Sequence, residues 1–252
     1  MVVATLDDAG DATYIFDTPC AFDYLYWRDG MGADVVILGT LPGRLGDREG
    51  ATSAAALASA RRCGGADIVL DINLRQPWYE RKDVMRLIEG DGENGEGLAL
   101  LKLNEDELAD VEEWYGLERK DETLSAAALS GTELERRMRL LSEKTGVRRL
   151  CVTRGGKGAA LYCTAGSIFV EHDGYTAVDP STSGGDTVGA GDAFLAFLVR
   201  SLFLTKSNDD DTPESVDAAL DGACALGAYV ASCRGAVPDH RDAPTELYDK
   251  FS

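Results

Sequence analysis

The chain has 252 residues, 44% of them hydrophobic, which suits an α/β domain with a sizeable core and argues against wholesale disorder. Its 25 basic and 44 acidic residues give a formal charge of −19, which disfavours sustained binding to nucleic acid or to an anionic membrane. No apolar run approaches the ~18 residues of a membrane span, and Met1 to Asp7 lack the basic flank and apolar stretch of a secretory signal.

In chain order, residues 1–28 alternate and turn, and read as a β-hairpin-like excursion. Strands and helices then take turns. A strand is predicted at 34–38, a helix at 48–62, a strand at 66–71, a helix at 81–89 and a strand at 98–103. A helix at 105–115 starts behind Asn104 as its N-cap. A strongly amphipathic helix at 131–145 precedes a strand at 149–153. From 158 to 178 the pattern changes to short alternating strands, expected as an antiparallel edge. Helices at about 190–205 and 213–232 close the series, with the acidic run Asp209–Asp211 between them; 89–96 is a Gly/acid-rich surface loop.

Strands separated by helices predict a mostly parallel sheet with right-handed crossovers. Functional loops then gather at the carboxyl ends of the strands. Gly39 and Thr40, Asn73 and Arg75, Asn104, and Gly155 follow the first four of these strands in turn, so all fall on one rim. The six cysteines, at 20, 63, 151, 163, 224 and 233, include no Cys-x-x-Cys pair, so neither zinc nor a redox couple is indicated. Cys151, Cys163 and Cys224 sit in apolar segments and read as buried thiols, which fits a reducing cytoplasm. The only histidines, His172 and His240, have no metal-ligand neighbour at useful spacing and read as structural or exposed.

The most informative stretch is 184–194, Gly-Gly-Asp-Thr-Val-Gly-Ala-Gly-Asp-Ala-Phe, followed by Leu195 to Val199. A glycine-rich turn opens directly into an apolar helix, with one carboxylate, Asp192, at the junction. Free amides at the positive end of the helix dipole suit a phosphate. A carboxylate beside them can take the proton of a hydroxyl that attacks that phosphate, which suggests phosphoryl transfer to an alcohol. No Lys-Ser/Thr follows the last glycine, so this is not a P-loop, and the third glycine of a dinucleotide fingerprint is absent.

Asp186–Phe194 resembles the C-terminal signature of the PfkB, ribokinase-like, sugar kinases. Asp71–Trp78 is similar to the Asp-x-Asn-x-Arg segment of the fructokinase-like branch, Asn104–Glu107 to the family's Asn-x-x-Glu element, and Val152–Gly158 to the strand and turn that meet the nucleotide. The resemblance implies a three-layer ribokinase-like α/β fold, a mostly parallel sheet flanked by helices, with a partial β lid at 1–28 and the nucleotide-binding and catalytic domain at 29–252. It implies an ATP-dependent carbohydrate kinase acting on a small, fructose-like sugar. Asp192 would be the base, and the backbone of Gly189, Ala190 and Gly191 the anion hole. Arg75, Asn73 and Gly39 would meet phosphate or sugar. Thr153, Gly155, Gly158, Ala225 and Ser232 would line the nucleotide. Asn104 and Glu107 would help hold Mg2+, and Asp186 and Val188 a K+ ion near the Cys233–Ala236 turn.

The resemblance has a boundary. Thr5–Asp23 looks like the family's lid strand and the segment after it. The family's first βα units, which carry a Gly-Gly motif and an aspartate that grip the sugar, have no counterpart at residues 1–60. The expectation is a truncated descendant of a working kinase, the alternative a non-catalytic nucleotide-binding or regulatory module. Missing strands would expose backbone or apolar surface and favour association, as in a homodimer.

Overall fold

The structure is a computed structural model that describes residues 2–6, 12–16, 32–41, 66–89, 97–117, 131–176, 185–205 and 211–239. The helix expected at 48–62 and the acidic stretches at 90–96 and 209–210 lie outside the described residues, as do Cys20, Cys63, Gly184 and His240.

Strands β1 (Val2–Leu6) and β2 (Ala12–Phe16) form the expected hairpin, antiparallel from Val2↔Phe16 to Leu6↔Ala12. A mixed, mostly parallel sheet of six strands follows: β3 (Val35–Gly39), β4 (Asp67–Asp71), β5 (Leu100–Asn104), β6 (Arg149–Thr153), β7 (Ala159–Cys163) and β8 (Ile168–His172), in that spatial order. The helices are α1 (Arg81–Glu89), α2 (Glu105–Trp114), α3 (Gly131–Thr145), α4 (Ala190–Val199) and α5 (Pro213–Ala231). The chain divides into two compact units. A sheet unit takes Ala21–Arg154 and Leu161–Phe169; a C-terminal unit takes Met1–Cys20, Gly155–Ala160 and Val170–Ser252.

β4 and β5 read Asp-Ile-Val-Leu-Asp and Leu-Leu-Lys-Leu-Asn, the near-continuous apolar runs of parallel strands covered on both faces. Val69, Leu70, Leu100, Leu101, Leu103, Leu150 and Val152 are buried, each such side chain contributing about 1.5–3 kcal/mol of hydrophobic stabilisation. The register Gly39↔Asp71, Asp71↔Lys102 and Asn104↔Thr153 aligns the carboxyl ends of β3 to β6. Only residues 154–158 and 164–167 join β6 to β7 and β7 to β8, too few for a parallel crossover, so these two strands run antiparallel to their predecessors. The Thr164 amide donates to the Arg148 carbonyl at 2.9 Å, which closes the far end of the first hairpin.

The helices follow from their apolar spacing. α1 buries Val84, Leu87 and Ile88; α3 buries Leu134, Met138 and Leu141. α2 and α3 are tied by the bidentate, buried pair of Arg137 and Glu112, whose Nε–Oε1 bond is 2.7 Å. α5 starts at Thr212, whose hydroxyl accepts the Ser215 amide at 3.2 Å, with Pro213 in the first turn. α4 and α5 lie close together in the C-terminal unit. A Cβ on Gly222 would fall 2.2 Å from the Phe197 ring, and one on Gly227 would fall 3.3 Å from the Ala190 carbonyl oxygen.

Two expectations change. The third short strand, expected near Tyr175–Val178, is absent at Tyr175 and Thr176, while 177 and 178 lie outside the described residues. The chain turns at Gly174 (φ +80°), and β8 ends at His172. The helix expected to run to 205 leaves α geometry at Val199 and continues as one π turn over Arg200–Leu204. No helix among the described residues is long and apolar enough to cross a membrane.

Candidate active site

In the C-terminal unit the turn before α4 is built around Gly189. Its φ of +81° suits glycine, and a Cβ there would fall 2.7 Å from Ala236. The Ala193 amide reaches the Gly189 carbonyl at 2.9 Å, and the Ala190 amide turns back to Thr187 at 3.3 Å. Helix geometry leaves the amides of Gly191 and Asp192 without an intrahelical acceptor at the positive end of α4. Both residues are exposed, while Phe194, Leu195, Phe197 and Leu198 anchor the helix in the core. The Asp192 carboxylate is therefore presented to solvent beside these amides, not sealed in an apolar interior.

Asp186 fixes this turn from behind. It is only 8% exposed. Its Oδ1 accepts the Val188 amide at 3.0 Å and its Oδ2 the Gly235 amide at 2.9 Å, while its own amide donates to the Cys233 carbonyl at 3.0 Å. One buried carboxylate thus joins the turn entering α4 to the turn leaving α5. In the same unit the Ser232 hydroxyl donates to the Ala228 carbonyl at 2.8 Å, and Ala225 is half-buried on α5. Gly155–Lys157 make a single 3-10 turn, closed by the Gly158 amide on the Gly155 carbonyl at 3.1 Å.

In the sheet unit the parallel register brings the other candidates to one rim. Thr40, just past Gly39, donates its hydroxyl to the Ile72 carbonyl at 2.6 Å. Asn73 takes a left-handed φ of +39°, which bends the chain out of β4. Arg75 is half-buried and donates to the Leu74 carbonyl at 2.9 Å. Asn104 is exposed and caps α2 in a reciprocal box. Its Oδ1 accepts the Glu107 amide, and Glu107 Oε2 accepts the Asn104 amide, both at 2.8 Å. Glu107 Oε1 also accepts the Leu74 amide at 2.8 Å, so this one carboxylate binds the loop after β4 to the start of α2. Burial pushes its carboxyl above the usual glutamate range. The amides of Asn104 and Leu74 pull it down, Asp71 raises it and Lys102 lowers it. Thr153, beside Asn104 in register, donates to the Leu103 carbonyl at 3.3 Å.

Sequence reasoning missed the buried pair beneath this rim. Lys102 Nζ lies 3.0 and 2.9 Å from the two Asp71 carboxylate oxygens, and both side chains are buried. Only the strand register, Asp71↔Lys102, makes them neighbours. The reading of Cys151, Cys163 and Cys224 as buried thiols holds. Among the described residues no group of three His, Cys, Asp or Glu side chains is arranged to hold a metal.

The family model for "pfkB family carbohydrate kinase" matches residues 50–243, well over half of the chain. The chain belongs to the pfkB family. No curated protein sequence matches it. Solved structures share its fold, and the ribokinase-like architecture of this pfkB chain is theirs. A fructokinase from Vibrio cholerae O395, solved with fructose, ADP and calcium ion, aligns at 22% identity and TM-score 0.66, covering 100% of this chain and 72% of that one. Aminoimidazole riboside kinase from Salmonella enterica, solved with aminoimidazole riboside and an ATP analogue, aligns at 20% identity and TM-score 0.62, covering 96% and 71%. A ribokinase from Giardia lamblia aligns at 13% identity and TM-score 0.64, covering 100% and 71%.

Proposed function

We propose that this pfkB-family protein transfers the γ-phosphoryl group of ATP to a hydroxyl of a small sugar, with a fructose-like ketose as the favoured acceptor. The observation that carries the reading is Asp192, an exposed carboxylate in the first turn of α4 beside amides that have no intrahelical acceptor. The sugar oxygen forms a bond to the γ-phosphorus as the bond to the β,γ-bridging oxygen breaks. Asp192 takes the hydroxyl proton, and ADP leaves with the bridging oxygen. Of the Gly189, Ala190 and Gly191 amides expected to form the anion hole, that of Ala190 turns back to Thr187, so those of Gly189 and Gly191 and the dipole of α4 stabilise charge on the transferred group, an effect worth about 3–4 kcal/mol per donor removed. Arg75 and Asn73 meet phosphate or sugar, with Gly39 beside them. Gly155, Gly158, Thr153, Ala225 and Ser232 serve the nucleotide.

Asn104 and Glu107 fit a water-mediated hold on Mg2+. Each Glu107 oxygen accepts one amide and keeps a second lone pair, and Asn104 is exposed. When bound, the ion would neutralise charge on the phosphates. Both Asp186 oxygens already hold amides, so K+ near Asp186 and Val188 would draw on backbone oxygens.

The test is ATP consumption by the full chain with fructose, ribose, 2-keto-3-deoxygluconate and adenosine, alongside direct ATP binding. Turnover is expected with a ketose, and Asp192→Asn is expected to lower it by about 10² or more while ATP affinity stays nearly intact. Unchanged turnover removes Asp192 from the mechanism. ATP binding without turnover on any sugar supports a non-catalytic nucleotide-binding module instead.

A further inference from the structure

Outside the residues given roles above, one cluster of titratable side chains in the C-terminal unit joins the end of β8 to α5. His172 Nε2 lies 3.2 Å from Asp221 Oδ1, and the Tyr175 hydroxyl donates to the same oxygen. The His172 and Tyr175 rings stack with centroids 5.1 Å apart. The Gly174 amide donates to His172 Nδ1 at 2.9 Å. A ring nitrogen that accepts carries no proton, so the neutral imidazole holds its hydrogen on Nε2, facing Asp221. The histidine is therefore engaged at both ends, by the backbone of its own turn and by a carboxylate on α5.

Against this turn lies Gly158. A Cβ on Gly158 (φ +85°) would fall 1.9 Å from the His172 carbonyl oxygen and 2.3 Å from the Gly174 nitrogen, and one on Gly174 would fall 2.7 Å from the Gly158 nitrogen. The two backbones touch with no side chain between them, so a shift of 172–174 moves the 155–158 turn. On α5, Asp221 precedes Ala225 by four residues and shares its helix face. The cluster thus ties together two elements read here as walls of the nucleotide site, the Gly155–Gly158 turn and α5.

We propose that His172, Tyr175 and Asp221 form a clasp that positions the Gly155–Gly158 turn against α5 for nucleotide binding, as positioning residues that do not touch the reacting atoms. The inference rests on the reading of that turn as nucleotide-binding. It needs no change of protonation, only that the three side chains stay joined.

The experiment measures ATP and ADP affinity by calorimetry, and kcat and KM for ATP, on the full chain with His172→Ala, His172→Gln and Tyr175→Phe. His172→Ala is expected to weaken ATP binding and raise its KM about tenfold, as for one or two lost hydrogen bonds, with kcat changed by less than about twofold. His172→Gln keeps a donor that reaches Asp221 and recovers most of the affinity. If His172→Ala does not fold, Tyr175→Phe, which removes one hydroxyl, carries the test with a smaller rise in KM. Variants that are folded and bind ATP as the wild type does overturn the clasp alone. A wild-type chain that binds no ATP overturns both the clasp and the functional reading beneath it.

Discussion

The substitution Asp186→Asn separates the architecture of the α4 turn from its chemistry. Asp186 is almost fully buried and accepts two amides, one from each of the turns it joins. A carboxamide keeps one accepting oxygen. Its NH2 group replaces the other and meets an amide donor head-on, so one charge-assisted bond is lost and one half-buried N–H is left without an acceptor. The expected cost is about 2–3 kcal/mol. Unfolding entropy is about 2.1 cal/mol/K per residue, so over 252 residues each kcal/mol shifts Tm by about 2 °C and the variant melts about 4–6 °C lower. The assay is a thermal melt paired with amide hydrogen exchange. Exchange should accelerate more at Val188 and Gly235 than in β5 and β6, whose amides respond only to the loss of global stability. A melt within about 1 °C of the wild type, with no change in exchange at those two amides, would refute the view that this carboxylate joins the turns.

Three further outcomes are expected. Because burial raises the Glu107 carboxyl in the folded chain, its contribution to stability is fullest below the unfolded-state value and is lost as pH rises through the folded-state value; denaturant midpoints from about pH 4 to 7 should show this decline in the wild type and not in Glu107→Gln. Arg137→Met strands the buried Glu112 carboxylate and should cost about 3–5 kcal/mol by urea unfolding, most of it recovered in the double variant Arg137→Met/Glu112→Leu. Gly189→Ala combines a left-handed backbone with a clash against Ala236, so it should lower Tm and sugar-dependent turnover together, whereas Asp192→Asn should lower turnover alone.

Local pattern carried much of this fold. Helices at 81–89 and 131–145 and the strand at 149–153 have the bounds that their periodicity predicts, because side-chain burial repeats with the period of the element. The Asn104 cap was readable because the capping box spans only three residues. What lay hidden were pairings across long loops. Asp71 meets Lys102 only once β4 and β5 are in register, and His172 meets Asp221 across 49 positions. Glu107 stands at the edge of legibility: its reach to Asn104 is local, but its bond to the Leu74 amide spans 33 residues and follows only from the parallel sheet. The turn at Gly174 replaced an expected strand because alternation alone does not reveal where His172 accepts a backbone amide and bends the chain.

The contact of Gly222 with Phe197 makes a lever of α4. Glycine in a helix interior is unfavourable by roughly 1 kcal/mol relative to alanine, and α5 bears that cost where the aromatic ring lies against its backbone. Five residues separate Phe197 from Asp192, a distance of about 7.5 Å along the axis. A wedge as small as one methyl group at 222 would pry the ring outward and swing the acid at the other end of the helix, so an alteration deep among apolar side chains would be felt as a misaimed carboxylate at the surface.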